Sequence, residues 1–539
     1  MKANNIFLFV VCIALNASCT GALHLESETD VTDNYLFTDK DGLSRAIAGL
    51  YIYERDEMAG YHAEETPIMY IVQMLDYNTD ILLFRAGNCA DIGRLNTMTS
   101  ASEGVAQFWK IQYNIVGRAN DIIAACEKIG LDDPEVKAVW AEAKLFRGRA
   151  FFDLLKRFGR IYLNTEVTNY DNIKRTFTPA SSDAVYAQID KDLDDAVDGL
   201  DWSLPQQGGM PMYGRFTKAV AKHVRAQVAM WESDWTRAIN ECEDIFENGT
   251  YHMLGSTKEV FSSENLRNAE VLYAYQFSMN VGGGGVVSGT SLMGHALPAN
   301  TTAEYKSIPG CKCESAQGGR GFGRMNPNSY LLSLYDQTKD RRYNEMFVHW
   351  YYYNVEGGPH YGEVIPRGTG GYDYARYLHP MSIKHADFWT NQDQPDRMTS
   401  FRDLIVYRLA ETALMCSEAY FHRDGPASPE AVKYFNMTYE RAGNDHFDGS
   451  LTLDDLLDEY ARELNFEGVR WPLLKRLGIL YERVVAHAGD NTADEPLLAE
   501  DYDHARHFFV RGKHENWPIP ANEILLMGEE NFPQNEGWN

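Results

Sequence analysis

Several things are missing from this sequence of 539 residues, and each absence removes a class of function. Basic residues are few: 50 Lys and Arg against 77 Asp and Glu leave a formal charge of −27. Nucleic-acid affinity rests on Lys and Arg neutralising phosphates, so no nucleic-acid partner is expected. There is no Gly-x-Ser-x-Gly elbow, no His-Glu-x-x-His helix and no phosphate loop ending in Gly-Lys-Ser/Thr. The usual handles of a hydrolase, a zinc protease and a nucleotide binder are therefore gone. The four glycines at 282 to 285 lack the dinucleotide spacing and read as a flexible loop. Cysteine is sparse, with eight residues, and Cys311-Lys312-Cys313 has no second ligand pair at zinc-like spacing. No carboxylate pair stands out as a glycosidase acid and nucleophile. The chain reads as a non-enzyme without a cofactor or a metal.

What is present is an ordinary globular mix, 44% apolar and 24% charged, enough for three or four small domains or one large unit at roughly 150 residues per domain. Aromatics reach 12%, with 32 Tyr and 10 Trp, side chains suited to lying on flat apolar ligand faces. The apolar run from Ile6 to Leu15 after Lys2 is too short to span a bilayer, which takes about 20 residues, and fits a secretory h-region. Ala17-Ser18-Cys19 follows it. Residues 1–18 thus read as a lipoprotein signal peptide and Cys19 as the lipidated first residue of the mature chain, the alternative being an ordinary signal peptide cut nearby. The mature protein would be anchored to its membrane by lipid alone.

From Gly42 to Asn248 the apolar period is helical. Phe108, Ile111, Ile115, Ile122 and Cys126 form one stripe, and Val139, Ala143, Phe146, Ala150 and Leu154 another. Asp190, Asp192, Asp194, Asp195 and Asp198 are expected on a solvated face. Ala226 and Ala238, twelve apart across the Ser233-Asp234-Trp235 turn, have the small-residue spacing of a tetratricopeptide hairpin. A second hairpin is expected around Leu409, Ala413, Cys416 and Tyr420, with Ala431 and Phe435 beyond the Gly425-Pro426 break. So distant a repeat predicts no regular solenoid. Cys126, Cys242 and Cys416 sit within helical patterns, where a buried free thiol is the common state.

Between these hairpins, from about Tyr251 to Arg402, the composition changes. Val271 to Ser278 and Met346 to Val355 read as strands; Gly282 to Gly285, Gly318-Gly319 and Gly370-Gly371 punctuate long loops. Aromatics expected to be exposed concentrate here: Tyr305, Phe322, Trp350 to Tyr353, Tyr372, Tyr374 and Trp389. By the two-residue strand period Trp350 and Tyr352 share one face and Tyr351 and Tyr353 the other, so one pair should be core. Val281 to Arg324 shows neither helical nor strand pattern and carries Tyr305 and Phe322 as stacking candidates with Arg320 and Arg324 as donors. Those are the groups a neutral, hydroxyl-rich ligand requires.

An ordered set of segments resembles the SusD/RagB family, the lipid-anchored nutrient-binding proteins of Bacteroidetes outer membranes. The set comprises Trp109 to Asn120; Ala141-Glu142-Ala143-Lys144 through Arg147 to Phe158-Gly159; Tyr335 to Arg341; Arg408-Leu409-Ala410-Glu411; Arg462-Glu463-Leu464 to Phe466-Glu467-Gly468-Val469-Arg470-Trp471; and Pro518-Ile519-Pro520 to Glu523-Ile524. Two positions differ from the family pattern: Tyr162 stands where a Pro is usual, and the acids Glu26, Glu28 and Asp30 do not directly follow Cys19. The Arg-Glu motif invites a catalytic reading, but its residues are expected to form an ion network, with Arg462 and Arg470 facing Glu463 and Glu467 and Gly468 ending the helix.

The resemblance implies a mainly α fold, a tetratricopeptide-like hairpin scaffold with an irregular, loop-rich insertion containing small strands. It implies a helical region 19–250 and a C-terminal region 251–539 bearing the ligand loops. It implies a non-catalytic surface protein that captures an oligosaccharide and lids a TonB-dependent (SusC-like) outer-membrane transporter, anchored in the outer membrane and facing the cell exterior. The ligand windows of such proteins precede the Trp109 helix and the Tyr335 segment, which points to Tyr61, Arg85, Asn88, Tyr305, Arg320 and Phe322. A peptide or glycoprotein-fragment binder and a helical-repeat scaffold for protein assembly are the alternatives.

Overall fold

Capping residues delimit the helices as the sequence suggests. Asp39 accepts from the Gly42 amide and opens α1 (Lys40–Ala59). After α2 (Glu103–Ile129), Asp133 and Pro134 start α3 (Pro134–Phe158), which Gly159 closes at φ 67°. Ser181 caps α4 (Ser182–Gly199); α5 (Lys218–Glu232) and α6 (Trp235–Asn248) follow around a left-handed Ser233. The computed structural model describes residues 37–61, 75–85, 90–168, 177–279, 281–288, 291–369, 374–387, 394–489 and 504–538. The signal segment, Cys19, Asn88, Cys89, Gly370-Gly371, Tyr372 and Trp389 lie outside them. Among the described residues no helix is long and apolar enough to cross a membrane, and Cys126, Cys242, Cys311, Cys313 and Cys416 are free thiols.

Each helix from α2 to α6 packs on the next, and α1 lies across α2 and α3. The predicted stripes of α2 and α3 are buried. Helix α3 is buried nearly all round, including Glu142, Lys144, Arg147 and Arg149, because α1, α2 and α4 cover it from several sides. Those polar groups have partners: Arg147 forks onto the Asp192 carboxylate (2.8 and 2.6 Å), and Arg215 onto Glu142 (2.6 and 2.5 Å). The acidic face of α4 therefore differs from expectation. Asp192 is fully buried, Asp190 pairs with Arg237, Asp194 with Arg225 and Asp195 with Lys144, while Asp198 is exposed as predicted. The face is an ion-pair seam between helices.

Later elements complete the array. After α7 (Leu297–Thr301) and the loop region come α8 (Leu409–Asp424), α9 (Pro429–Tyr439) and α10 (Leu453–Leu464). Ala226 and Ala238 are buried in one cluster with Cys416, Ala419, Ala431 and Phe435, and α6 packs directly on α8. The two hairpins thus stack in space although the chain departs between them. The sequence expectation of an interrupted repeat holds for the chain order and not for the packing. The main apolar cluster likewise draws side chains from both the helical and the C-terminal regions.

The strands are short and form five antiparallel pairs among the described residues: β1 (Leu82–Phe84) with β7 (Met325–Pro327), β2 (Gln206–Gln207) with β3 (Met210–Pro211), β4 (Val271–Tyr275) with β10 (Leu404–Arg408), β5 (Val286–Ser288) with β6 (Ser291–Met293), and β8 (Phe347–Val348) with β9 (Met381–Ser382). The first predicted strand is present; the second shrinks to β8. The glycine run 282–285 is held by hydrogen bonds between Ser278 N–H and the Gly284 carbonyl (2.8 Å) and between Gly284 N–H and the Val281 carbonyl (2.9 Å), and leads into the β5–β6 hairpin.

A buried charge cluster ties β4 and β10 to α10. Glu463 accepts from Arg342 (2.7 Å), Arg408 (2.7 Å) and Arg441 (2.6 Å), and Glu467 from Arg408 (2.6 Å) and Lys384 (2.7 Å). Burial alone would raise the Glu463 carboxyl, but the guanidiniums of Arg441, Arg408 and Arg342 outweigh it and hold it well below the usual range. The predicted partners are corrected: Arg462 bonds Glu459 and Arg470 bonds Asp80. Adjacent helix positions point apart, so Arg462 cannot face Glu463. The helix ends at Leu464, before Gly468, with Phe466 in the left-handed region at φ 62°. The segment is an ion network, with its partners supplied from distant parts of the chain.

Candidate ligand-binding site

The segment Arg320-Gly321-Phe322-Gly323-Arg324 is threaded beside α7. The amides of Phe322, Gly323 and Arg324 donate to the carbonyls of Ala299 (2.8 Å), Thr302 (2.7 Å) and Asn300 (3.0 Å). A Cβ at Gly321 would stand 2.2 Å from the Ala303 carbonyl oxygen, and one at Gly323 would stand 2.2 Å from that of Arg376. Only glycine fits at either place. The alternate residues Arg320, Phe322 and Arg324 are left half-buried, with the two guanidiniums 5.5 and 4.6 Å from the centre of the Phe322 ring. Arg324 Nη1 also donates to Asn300 Oδ1 at 3.0 Å.

Arg85 continues the β1–β7 pairing, its amide donating to the Arg324 carbonyl at 3.0 Å. Its guanidinium donates to the carbonyls of Gly323 and Phe322, the latter at 2.8 Å. Arg85 therefore shapes the segment that presents Phe322. Tyr61 is 9% exposed, packs on Ala296 and donates its amide to the Gly294 carbonyl (2.9 Å). Tyr305 corrects the expectation of an exposed platform: it is fully buried, stacked on Tyr351 with centroids 5.2 Å apart and planes 17° apart. Its hydroxyl donates to the Glu314 carbonyl and accepts from the Glu314 amide. Burial raises that hydroxyl's pKa.

Tyr305 and Tyr351 support a surface that the sequence only partly disclosed. Trp350 is 49% exposed and Tyr352 44%, whereas Tyr351 between them is 1% exposed. Period-two alternation puts Trp350 and Tyr352 on the same outer face, about 7 Å apart at roughly 3.3 Å per residue. The predicted alternation is present without a long strand: Tyr352 bridges Val364, the Tyr353 amide donates to the Glu363 carbonyl (3.0 Å), and the Ile365 amide to that of Tyr351 (2.8 Å). Gln317 brackets Tyr352 from the other side, accepting from its amide (2.7 Å) and donating to its carbonyl (3.2 Å). The Arg367 guanidinium lies 4.7 Å over the Trp350 ring.

Across this region lie exposed aromatic faces, guanidiniums anchored on carbonyls and amides, and a backbone braced from beneath. Lys306, at 2.6 Å, holds the Asp396 carboxyl below its usual range. Burial pushes the thiols of Cys311 and Cys313 up to about 11 and about 12. The surface can stack planar apolar faces and donate hydrogen bonds to hydroxyls. Its signal in the sequence was Arg-Gly-Phe-Gly-Arg with Trp-Tyr-Tyr-Tyr; which aromatics are buried was not visible there.

Comparisons with known proteins fit this architecture. Residues 287–538 match the profile of the SusD family, and residues 57–229 match a family described as starch-binding associating with the outer membrane. The chain is 22% identical over 460 residues to SusD-like protein P25 of Formosa agariphila, covering 82% of each. A SusD homologue from Bacteroides thetaiotaomicron superposes with a TM-score of 0.75 at 19% identity, covering 95% of this chain and 100% of that one. A laminarin-binding SusD-like protein superposes with a TM-score of 0.69 at 20% identity, covering 93% and 100%.

Proposed function

The chain belongs to the SusD/RagB family, and from that premise we propose that it captures a neutral oligosaccharide at the outer membrane and leaves it chemically unchanged. The observation that carries the ligand class is the paired exposure of Trp350 and Tyr352 above the buried Tyr305–Tyr351 stack. Sugar rings offer a C–H face to such rings, and their hydroxyls accept from guanidiniums. Phe322 with Arg320 offers a further aromatic and donor contact. Tyr305, Arg85 and Tyr61 act from beneath by holding the loops, and Asn88, three positions after Arg85 in the chain, adds an amide. A starch-binding family description and a laminarin-binding structural neighbour support a glucan-like ligand.

The finer reading has a mature chain that begins at Cys19, with a helical region to residue 250 and a C-terminal region from 251 that carries the loops. The lipid on Cys19 anchors it, facing the exterior, and the captured ligand passes to a TonB-dependent transporter. The h-region with Ala17-Ser18-Cys19 and the outer-membrane description of the family support this. Metabolic labelling with a fatty-acid analogue should tag the wild type and not Cys19→Ala; equal labelling would remove the anchor. Calorimetry against starch-, laminarin- and xyloglucan-derived oligosaccharides should detect binding to the full chain. Preference for a uronic-acid oligosaccharide or a peptide over all of them would overturn the neutral-glycan reading.

A further inference from the structure

A second concave surface is built from other residues. It is a groove of about 400 Å3 between α1, the β2–β3 hairpin and β4, within the size range of small-ligand sites. Three large apolar side chains converge on it with much of their surface in water: Met210 is 71% exposed, Tyr213 42% and Ile52 41%. Single exposed apolar residues are ordinary, but three around one depression mark a binding surface. The groove is preformed. Gly208 and Gly209, at φ 59° and 79°, make the two-residue turn that sets Gln207 opposite Met210. Arg267 lies 4.8 Å over the Tyr213 ring and is not a wall of the groove, so the ring's other side is left to a ligand.

The charges choose among ligands. No carboxylate lines the groove among the described residues, although the chain has 77 Asp and Glu. Its two guanidiniums are already neutralised, Arg215 by Glu142 and Arg55 by Asp56 (2.8 and 2.6 Å). Neither a cation nor an anion gains a counter-charge there. Arg55 spends one further N–H on the Gln276 carbonyl (3.1 Å), so three of a guanidinium's five N–H donors are used and two remain for a neutral acceptor. An aromatic face, an amide at Gln207 and residual neutral-pair donors suit a hydroxyl-rich, uncharged ring.

We propose that this groove is a second saccharide contact, in which a neutral sugar unit lies on Tyr213 and bonds through its hydroxyls to Arg55 and Gln207. The proposal rests on the glycan reading for its ligand class and is tested apart from it. The full chain is labelled with 3-fluorotyrosine, and the Tyr213 and Tyr352 fluorine resonances are assigned with Tyr213→Phe and Tyr352→Phe. A laminarin-derived oligosaccharide, then a xyloglucan-derived one, is titrated into the wild type and into Trp350→Ala. The Tyr213 signal should shift in both proteins, and Tyr213→Ala should weaken the binding that remains in Trp350→Ala by about tenfold or more. A Tyr352 shift without a Tyr213 shift overturns the second contact and leaves the first. A Tyr213 shift alone overturns the first and leaves the second. No shift at either tyrosine overturns both, and a Tyr213 shift caused by an apolar peptide but by neither sugar overturns the ligand class proposed here.

Discussion

The helical array and the loop region from 251 to 408 satisfy their polar groups in opposite ways. In the array the backbone bonds to itself within each helix, so charged side chains are free to bond to one another, as Arg147 does with Asp192 and Arg215 with Glu142. In the loop region only short strand pairs and turns bond the backbone to itself, and side chains are recruited to bond it as well. Arg85 holds the carbonyls of Phe322 and Gly323, Gln317 holds both sides of Tyr352, and Arg402 holds the carbonyls of Ala386, Lys384 and Phe261. A polar loop residue there is a backbone partner before it is a ligand contact. Exposed aromatics, which have no such duty, are the better guide to the binding face.

The comparison can be broken first at the charge cluster where the two regions join. Glu463→Ala would take one buried carboxylate from each of Arg342, Arg408 and Arg441, and breaking one buried pair already costs about 3 to 5 kcal/mol. Denaturant titration should show at least that loss. Glu467→Ala should lose stability in the same range without a selective loss of ligand affinity; a stable Glu467→Ala that no longer binds would mean the acid is functional. Acid sharpens the same point at Glu418. Burial would raise its carboxyl, but Arg476 and His422 hold it down from its ordinary 4.5 to about 2. A depressed carboxyl stabilises the fold above its unfolded value, so this contribution is complete above pH 4.5 and is lost as the pH falls toward 2. Glu418→Gln should flatten the stability curve over that window.

Next comes the pair that divides support from contact. Tyr305→Ala removes a buried ring and should cost about 3 to 5 kcal/mol, the range for large aromatic truncations in cores, read as a lowered melting temperature. Trp350→Ala should leave stability within about 0.5 kcal/mol, yet lose about 2 kcal/mol of glycan affinity, close to thirtyfold. If Tyr305→Ala is as stable as wild type, the support role fails; if Trp350→Ala binds normally, the platform does. Phe322→Ala, half-covered by its two arginines, is expected to show the smallest effect, about tenfold in affinity by calorimetry with a near-native melting temperature.

Read from one end to the other, the chain already contains its helices, because a 3.6-residue period, a capping Asp or Ser and a terminating Gly act within a few residues of one another. The stripes of α2 and α3, the Ala226–Ala238 hairpin and the alternation of Trp350 to Tyr353 were all legible for that reason. The family segments were legible too, since their order along the chain is itself a signal. Other features depend on residues far apart in the chain. The stacking of Ala238 against the hairpin of Ala431 joins helices that the sequence separates by the whole loop region. The acids of α4 read as solvated until α3, α5 and α6 brought Lys and Arg against them. Glu463 drew its cations from positions 342, 408 and 441 and not from its neighbour Arg462. Tyr305 and Trp350 are equally aromatic and both lie in loops, yet one is fully buried and the other half exposed. That difference comes from Tyr351 stacking on Tyr305, a contact 46 positions away in the chain. Local periodicity can specify an element, but burial and charge pairing are sums over neighbours in space, and those neighbours exist only once the chain has folded.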